Sequence, residues 1–320
     1  MGARLGAGAT VRAAMAELRT THQSTVTEDQ IDHLGHMNVA FYALNAQAGT
    51  RSLLSELPGW GDRAVLVDDV YTRHHREQLL GTPLVVRSAV LAAHRDGLRL
   101  HHELAAADSG VLAATFVHGI VPLDEAGDRT LLPDRVVAAL AEEVVATPEH
   151  ATTRTLSLDH DPMAGAPPLA TVVARGLQVR KERRIGPGEC DDAGRYRIEM
   201  APMLTWGGEP VEGSPGPVLD DAVSGTRMGW ASMETRVRFG RMPRVGARIQ
   251  SFGAGVAVHD KVTHRVHWTY DLDTEQLLTA FEAVSMAFDI EARRPMSIPE
   301  AVRQRELDAL QPDLAPGALT

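Results

Sequence analysis

The chain repeats itself, and a repeat of this kind leaves few folds open. Residues 71–124 align without a gap onto 236–289 at a shift of 165, with eleven identities in 54 positions. Among them are Arg73/Arg238, Gly81/Gly246, His102/His267, Leu112/Leu277, Phe116/Phe281 and Asp124/Asp289. The matches mark equivalent points of one pattern: a glycine turn before a strand, a polar turn before a second, an acidic turn before a third. The front of each half matches too, at a shift of 159, where Asp32-x-x-Gly35 falls on Asp191-x-x-Gly194. The second copy thus holds about six more residues between motif and strands, which the Gly/Pro-rich stretch 207–217 accommodates as loop. At 320 residues the chain has room for two such units, each burying its own core.

Local patterns define the unit. Residues 39–57 lack proline, stop at Pro58-Gly59 and are small or apolar on more than one face, which predicts a helix wrapped by a sheet. Residues 64–74, 84–94, 97–107 and 111–123 read as strands, with hairpin turns at His94–Gly97 and Asp108–Gly110. A short amphipathic helix is expected over 133–146, and the proline-rich stretch 147–170 reads as a linker. Ser297-Ile-Pro299-Glu300 has the form of a capping box, so a terminal helix is expected over 298–310 and disorder over 311–320. The pairs His74-His75 and His101-His102 read as ordinary polar strand positions rather than chelators.

Composition removes several function classes. Net charge is −10, Lys181 and Lys261 are the only lysines, and there is no basic block, so nucleic acid and anionic membranes are poor partners. A few arginines can still hold phosphates locally. No run of 18 apolar residues spans a membrane. Cys190 stands alone, which excludes an intramolecular disulfide and a cysteine metal cluster, and fits a reducing, cytoplasmic location. Residues 1–20 read as a frayed leader or short helix rather than a secretion signal, with an Arg-rich organellar leader left open. A Gly-x-Ser-x-Gly elbow is absent, and Gly6-Ala7-Gly8 lacks the setting of a dinucleotide loop. No cofactor or metal is expected.

The chemistry gathers at residues 26–44, where Asp32 is followed by Gly35, by His36-x-Asn38 and then by Tyr42 in a helical segment. A carboxylate just before a helix start suits attack on a polarised carbonyl, because the first N–H groups of a helix are free to hold an oxyanion. Asp32 could instead cap a helix beginning near Met37. His36 could orient or protonate, and Asn38 could donate to the carbonyl or to attacking water. Gly35 serves the turn, while Tyr42, one helical turn past Asn38, packs the core or lines a pocket.

This Asp-x-x-Gly-His-x-Asn-x-x-x-Tyr run resembles the active-site lead-in of the hotdog-fold acyl-thioester hydrolases, the hydroxybenzoyl-CoA thioesterase family. The resemblance implies an α+β double hotdog, two antiparallel sheets each wrapped around a central helix and packed as a pseudo-dimer. The N-terminal domain would cover 20–145, a linker 146–170, the second domain 171–292, and a helix and tail 293–320. It further implies cofactor-free hydrolysis of an acyl-CoA or acyl-carrier-protein thioester, with Asp32 as nucleophile or general base. Glu77, in Arg76-Glu77-Gln-Leu-Leu-Gly81, matches a stretch whose glutamate assists catalysis in some members. Plant acyl-carrier-protein thioesterases carry a related run with asparagine where Leu34 stands here, so their polar network does not transfer whole. Within the family, the run is similar to that of bacterial acyl-CoA hydrolases. In the second copy Arg195 and Arg197 replace His36 and Asn38, which leaves one active site per chain and makes those arginines candidates for holding carrier phosphates. A homo-oligomer of pseudo-dimers is compatible with this arrangement. A hotdog hydratase or dehydratase would need an Asp-x-Asn-Pro-x-His run, absent here, and a non-catalytic acyl-binding protein remains the other alternative.

Overall fold

The computed structural model describes residues 18–316, apart from 33, 198–199, 201–202, 205–206, 213–217 and 221–226. The N-terminal half runs through strand β1 (Arg19–Thr25), helix α1 (Val39–Glu56), strands β2 (Val65–His74), β3 (Pro83–His94), β4 (Gly97–Ala106) and β5 (Leu112–Pro122), then helix α2 (Asp134–Ala141). After helix α3 (Leu169–Ala174) come β6 (Arg183–Arg184), β7 (Val218–Asp220), β8 (Arg227–Phe239), β9 (Arg248–Val258), β10 (Val262–Asp271), β11 (Leu277–Asp289), β12 (Arg294–Pro295) and helix α4 (Glu300–Asp308). The 165-residue shift reappears in the strands: β3, β4 and β5 begin at 83, 97 and 112, and β9, β10 and β11 begin at 248, 262 and 277.

Among the described residues twelve strands form one antiparallel sheet, ordered β1-β3-β4-β5-β2-β8-β11-β10-β9-β6 along its main path. That order is a palindrome of the repeat, with β2 and β8 at its centre. There Tyr71 faces Arg236, its own repeat equivalent, while Asp69 faces Arg238 and Arg73 faces Glu234. A pairing in which each residue meets the partner of its counterpart is isologous, so a pseudo-two-fold axis passes through the Tyr71–Arg236 pair.

Helix α1 lies against the N-terminal sheet with Tyr42, Ala46, Leu53 and Leu54 buried. Leu53 and Leu54 join Trp60, Leu98, Leu100 and Ile120 in one apolar cluster, and Tyr42 and Ala46 join Met37, Leu84, Leu104 and Phe116 in another. Each fully buried leucine there is worth about 2–5 kcal/mol against alanine. Ala151 and Leu156, from the connecting stretch, are buried with Tyr71, Val117 and Val284, so apolar side chains cover the sheet on that side as well.

The connection between the halves is therefore no free linker. Arg236 forks onto Asp69 at 3.1 and 3.0 Å and donates through Nη1 to the carbonyls of Ser157 and His160, both at 2.7 Å. Glu234 accepts the backbone N–H of Arg154 and Thr155 at 2.8 Å each, and the Tyr71 hydroxyl. These groups are almost fully buried, and the carbonyls and amides of the connecting segment complete their hydrogen bonding.

Three expectations change. Helix α4 starts at Glu300 behind Pro299, with no side-chain cap, because backbone bonds from Met296 to Ala287 and from Ile298 to Asp260 hold the preceding residues extended. The stretch after it is ordered to Pro316: Leu314 is buried against Trp268 and Tyr270, and Gln311 donates to Gly255. His101 and His102 are wholly buried rather than ordinary strand positions. Pro202, read as interrupting a shortened second helix, lies outside the described residues, as do the leader residues 1–17. Among the described residues no helix is long and apolar enough to cross a membrane.

Candidate active site

Asp32 sits in a tight turn, not on the helix. Its backbone N–H donates to the His36 carbonyl at 2.9 Å and its carbonyl accepts from Gly35 at 3.0 Å, so residues 32–36 close on themselves. Gly35 has φ +81°, a left-handed conformation that other L-residues adopt at a cost of about 1–2 kcal/mol. The turn aims the carboxylate back at the chain: Oδ1 accepts the Leu34 N–H at 2.8 Å, and Oδ2 lies 3.5 Å from His36 Nδ1. Both side chains keep a partial solvent edge, 14% for Asp32 and 19% for His36, which leaves them reachable by a ligand.

The helix itself starts at Val39, and its cap is Asn38, whose Oδ1 accepts the Ala40 N–H at 2.9 Å. Asp32 is thus relieved of the capping role, and Asn38 keeps Nδ2 to donate. The expectation of several free helix-start amides narrows sharply. Met37 donates to Gln78, Asn38 to Gln30 and Phe41 to the Asn38 carbonyl. Among the described residues of the helix start, Val39 alone keeps an N–H without an acceptor, at the positive end of an 18-residue helix. Tyr42 is buried, donates its hydroxyl to the Arg76 carbonyl at 3.2 Å, and packs its ring edge-on to His74 at 5.4 Å. Burial, and to a lesser degree the negative charge of Asp32, push the Tyr42 phenol up to about 12, so it acts as a neutral donor near that carboxylate. Burial pushes the His74 imidazole down to about 4, and its Nδ1 has no hydrogen-bond partner. His74 reads from sequence as an ordinary polar strand position and Gln78 goes unmarked; the clue was their closeness to the Arg76-Glu77 stretch.

A profile of the thioesterase-like superfamily matches residues 26–140, which hold the Asp32 turn, α1 and β2 to β5. No curated protein matches the chain. Among solved structures, the chain is similar to the 12:0-ACP thioesterase from Umbellularia californica, at 11% identity and TM-score 0.59, covering 83% of this chain and 93% of that one. It is also similar to an acyl-ACP thioesterase from Bacteroides thetaiotaomicron, at 7% identity and TM-score 0.54, covering 82% and 96%. Likeness at such identities shows the fold, a hotdog-like arrangement of a large antiparallel sheet with few helices.

Outside the superfamily segment the motif recurs in altered form. Asp191 donates to the Arg195 carbonyl at 2.8 Å, Gly194 donates to Asp191 at 2.9 Å, and Gly194 has φ +71°. Arg197 donates to Glu189 as Asn38 does to Gln30, each at 2.9 Å. The backbone turn is therefore the same, and the side chains differ. Asp191 accepts the Arg195 N–H at 2.8 Å and its guanidinium at 2.9 Å, which together hold the carboxyl below its ordinary range. Cys190 beside it is buried, which pushes its thiol up, away from nucleophile chemistry.

The remaining expected site residues divide between two places. Glu77 is half exposed and paired with Arg293, which follows β11, so this ion pair joins the halves near the Asp32 turn. Arg195 and Arg197 line a different feature, a cleft of about 850 Å³ between Asp191–Arg197 and the end of α1 with Trp60–Leu66. This cleft is the repeat counterpart of the Asp32 site, so Arg195 and Arg197 do not meet Asp32. The repeat carries residues 51–60, its N-terminal wall, onto 216–225, of which only 218–220 are described. Among the described residues no group of side chains could hold a metal ion.

Proposed function

We propose that the chain is a double-hotdog thioesterase that hydrolyses an acyl-CoA or acyl-carrier-protein thioester without a cofactor, in the cytoplasm, at one site per chain. The two units would be residues 20–145 and 171–292, joined by 146–170. The reading rests on one juxtaposition: a solvent-touched carboxylate beside an imidazole, next to a helix start with one unclaimed N–H. Asp32 takes a proton from water as the water oxygen attacks the thioester carbonyl. In the nucleophilic variant Asp32 attacks the carbonyl itself and expels the thiolate to leave a mixed anhydride; water then cleaves that anhydride to the free acid and supplies the thiol proton. The developing oxyanion is stabilised by the Val39 N–H and the α1 dipole, and Asn38 Nδ2 is close enough in sequence to assist. Collapse breaks the C–S bond, and the proton returns to the departing thiolate through His36, leaving free acid and thiol. Tyr42 and Gly35 shape the pocket, and Glu77 with Arg293 forms its rim.

The test is free-thiol release from short, medium and aromatic acyl-CoAs, wild type against Asp32→Ala. Hydrolysis by the wild type, lowered about 10²–10⁴-fold in the variant, supports the reading. Hydration without thiol release, or binding without turnover, would replace it with a hydratase or a binding protein.

A further inference from the structure

The cleft at the Asp191 turn plays no part in that hydrolysis, and its lining calls for an anion. Arg51, Arg63 and Arg129 reach it from the N-terminal half. Arg195, Arg197, Arg241 and Arg244 reach it from the other half, against two acids, Asp128 and Asp191. We propose that it is a second, non-hydrolytic binding site for a multiply phosphorylated organic molecule of nucleotide size.

Charge is the first support. Asp191 is already neutralised by Arg195 at 2.9 Å, and among the described residues Arg51, Arg241 and Arg244 form no ion pair. Converging unpaired cations repel one another, and in a chain of net charge −10 such a concentration is a local exception. A ligand carrying two or more phosphates removes the repulsion, and guanidinium forks match phosphate oxygens.

Preorganisation is the second. Arg195 is held by Asp191, Arg63 by the Gly59 and Trp60 carbonyls, and Arg197 by the Gly188 carbonyl. Arg195 also spans the cleft: a β-carbon placed on Gly127, in the opposite wall, would lie 3.7 Å from its Nη1. Fixed cations lose little freedom when an anion arrives.

Shape is the third. Leu54, Trp60, Leu66 and Tyr196 give the cleft an apolar floor that inorganic phosphate would leave unused, and about 850 Å³ suits an organic body. Hydrolysis is not expected there, because three donors occupy the Asp191 carboxylate.

The 3′-phosphorylated ADP end of coenzyme A and a nucleoside triphosphate share this chemistry, and calorimetry on the full chain separates them. The probes are 3′-phospho-ADP, ATP and phosphate-free pantetheine, at low and moderate salt. Expected are binding of 3′-phospho-ADP, no binding of pantetheine, and an affinity lowered about 10-fold or more in Arg241→Ala/Arg244→Ala, both exposed. Arg51→Glu, on the opposite wall, should weaken binding similarly while circular dichroism shows the fold kept. Equal binding of ATP supports a general polyphosphate site, and weaker ATP binding supports a coenzyme A-type ligand. The proposal falls if neither nucleotide binds below about 1 mM, or if the arginine variants bind as the wild type does. It is read by binding alone, so it stands or falls independently of Asp32.

Discussion

Two turns with one backbone path carry opposite chemistry. At residues 32–36 the carboxylate has one backbone donor and an imidazole 3.5 Å away. At 191–195 the equivalent carboxylate is locked by two backbone N–H groups and a guanidinium. A group that must accept a proton or attack a carbonyl needs a free lone pair. In the first turn Oδ2 faces only the imidazole, whereas in the second both oxygens already accept strong donors. The backbone path is thus common to both turns, and the side chains four and six residues after the acid are what differ.

The cores of the two halves differ in the same manner. Under α1, Thr50 bridges His102 at 3.0 Å and His118 at 2.9 Å, and Ser88 holds the other His102 nitrogen at 2.6 Å. The equivalents of Ser88 and His118 are Gly253 and Ala283, so His267, the counterpart of His102, packs edge-on to Phe281 at 5.4 Å instead. Among the described residues, the half with the Asp32 turn is the one that carries this histidine network.

The largest way to break the comparison is at the axis relating the halves. Arg236→Ala leaves buried Asp69 with only the looser Arg238 contact at 3.5 Å, strips the Ser157 and His160 carbonyls of their donor, and should cost about 3 kcal/mol, measured by denaturant unfolding. Tyr71→Phe, at the equivalent position, removes one hydrogen bond to Glu234 and should cost about 1.5–3 kcal/mol.

Acid should then expose the polar core. Burial pushes His118 down to about 3 and His102 well below its ordinary value, so both fold neutral. The unfolded chain binds more protons than the folded one between about pH 3 and 6.5, so stability is full above 6.5 and falls as pH drops. His118 contributes up to about 1.4 kcal/mol per pH unit in that window, and His102 adds in the same direction. Chemical unfolding at pH 7, 6 and 5 checks the slope, and a stability unchanged across that range contradicts it.

Smaller effects sharpen the contrast between the turns. His36→Arg recreates the Asp191–Arg195 lock and should lower hydrolysis about 100-fold with the fold intact, read as thiol release. Asn38→Ala removes a helix cap worth about 1 kcal/mol, whereas Arg197→Ala removes none and should leave stability within about 0.5 kcal/mol. Thermal unfolding of the pair distinguishes them.

Much of this was legible in the sequence because it is local or periodic. The strand bounds hold within one residue, α1 ends at Glu56 against an expected 57, and the repeat shift reappears in the sheet. The Asp32–His36 pairing was legible because five residues form it. What escaped depends on residues far apart in the chain. Arg236 and Asp69 are 167 positions apart, and Glu234 finds its amides 80 residues away. Asn38 displaced Asp32 as cap because the Asp32 backbone closes a turn of its own, which periodicity does not reveal. The separation of Arg195 from Asp32 follows from the pseudo-two-fold axis, and a motif alone does not locate an axis.

One measurement separates the two turns most directly: kcat/KM for thioester hydrolysis of Asp32→Asn and Asp191→Asn, each against the wild type on the best acyl-CoA. If Asp32 is the catalytic carboxylate, its variant loses at least about 100-fold while the Asp191 variant stays within about threefold. Equal losses in both, or retained hydrolysis in Asp32→Asn, would contradict it.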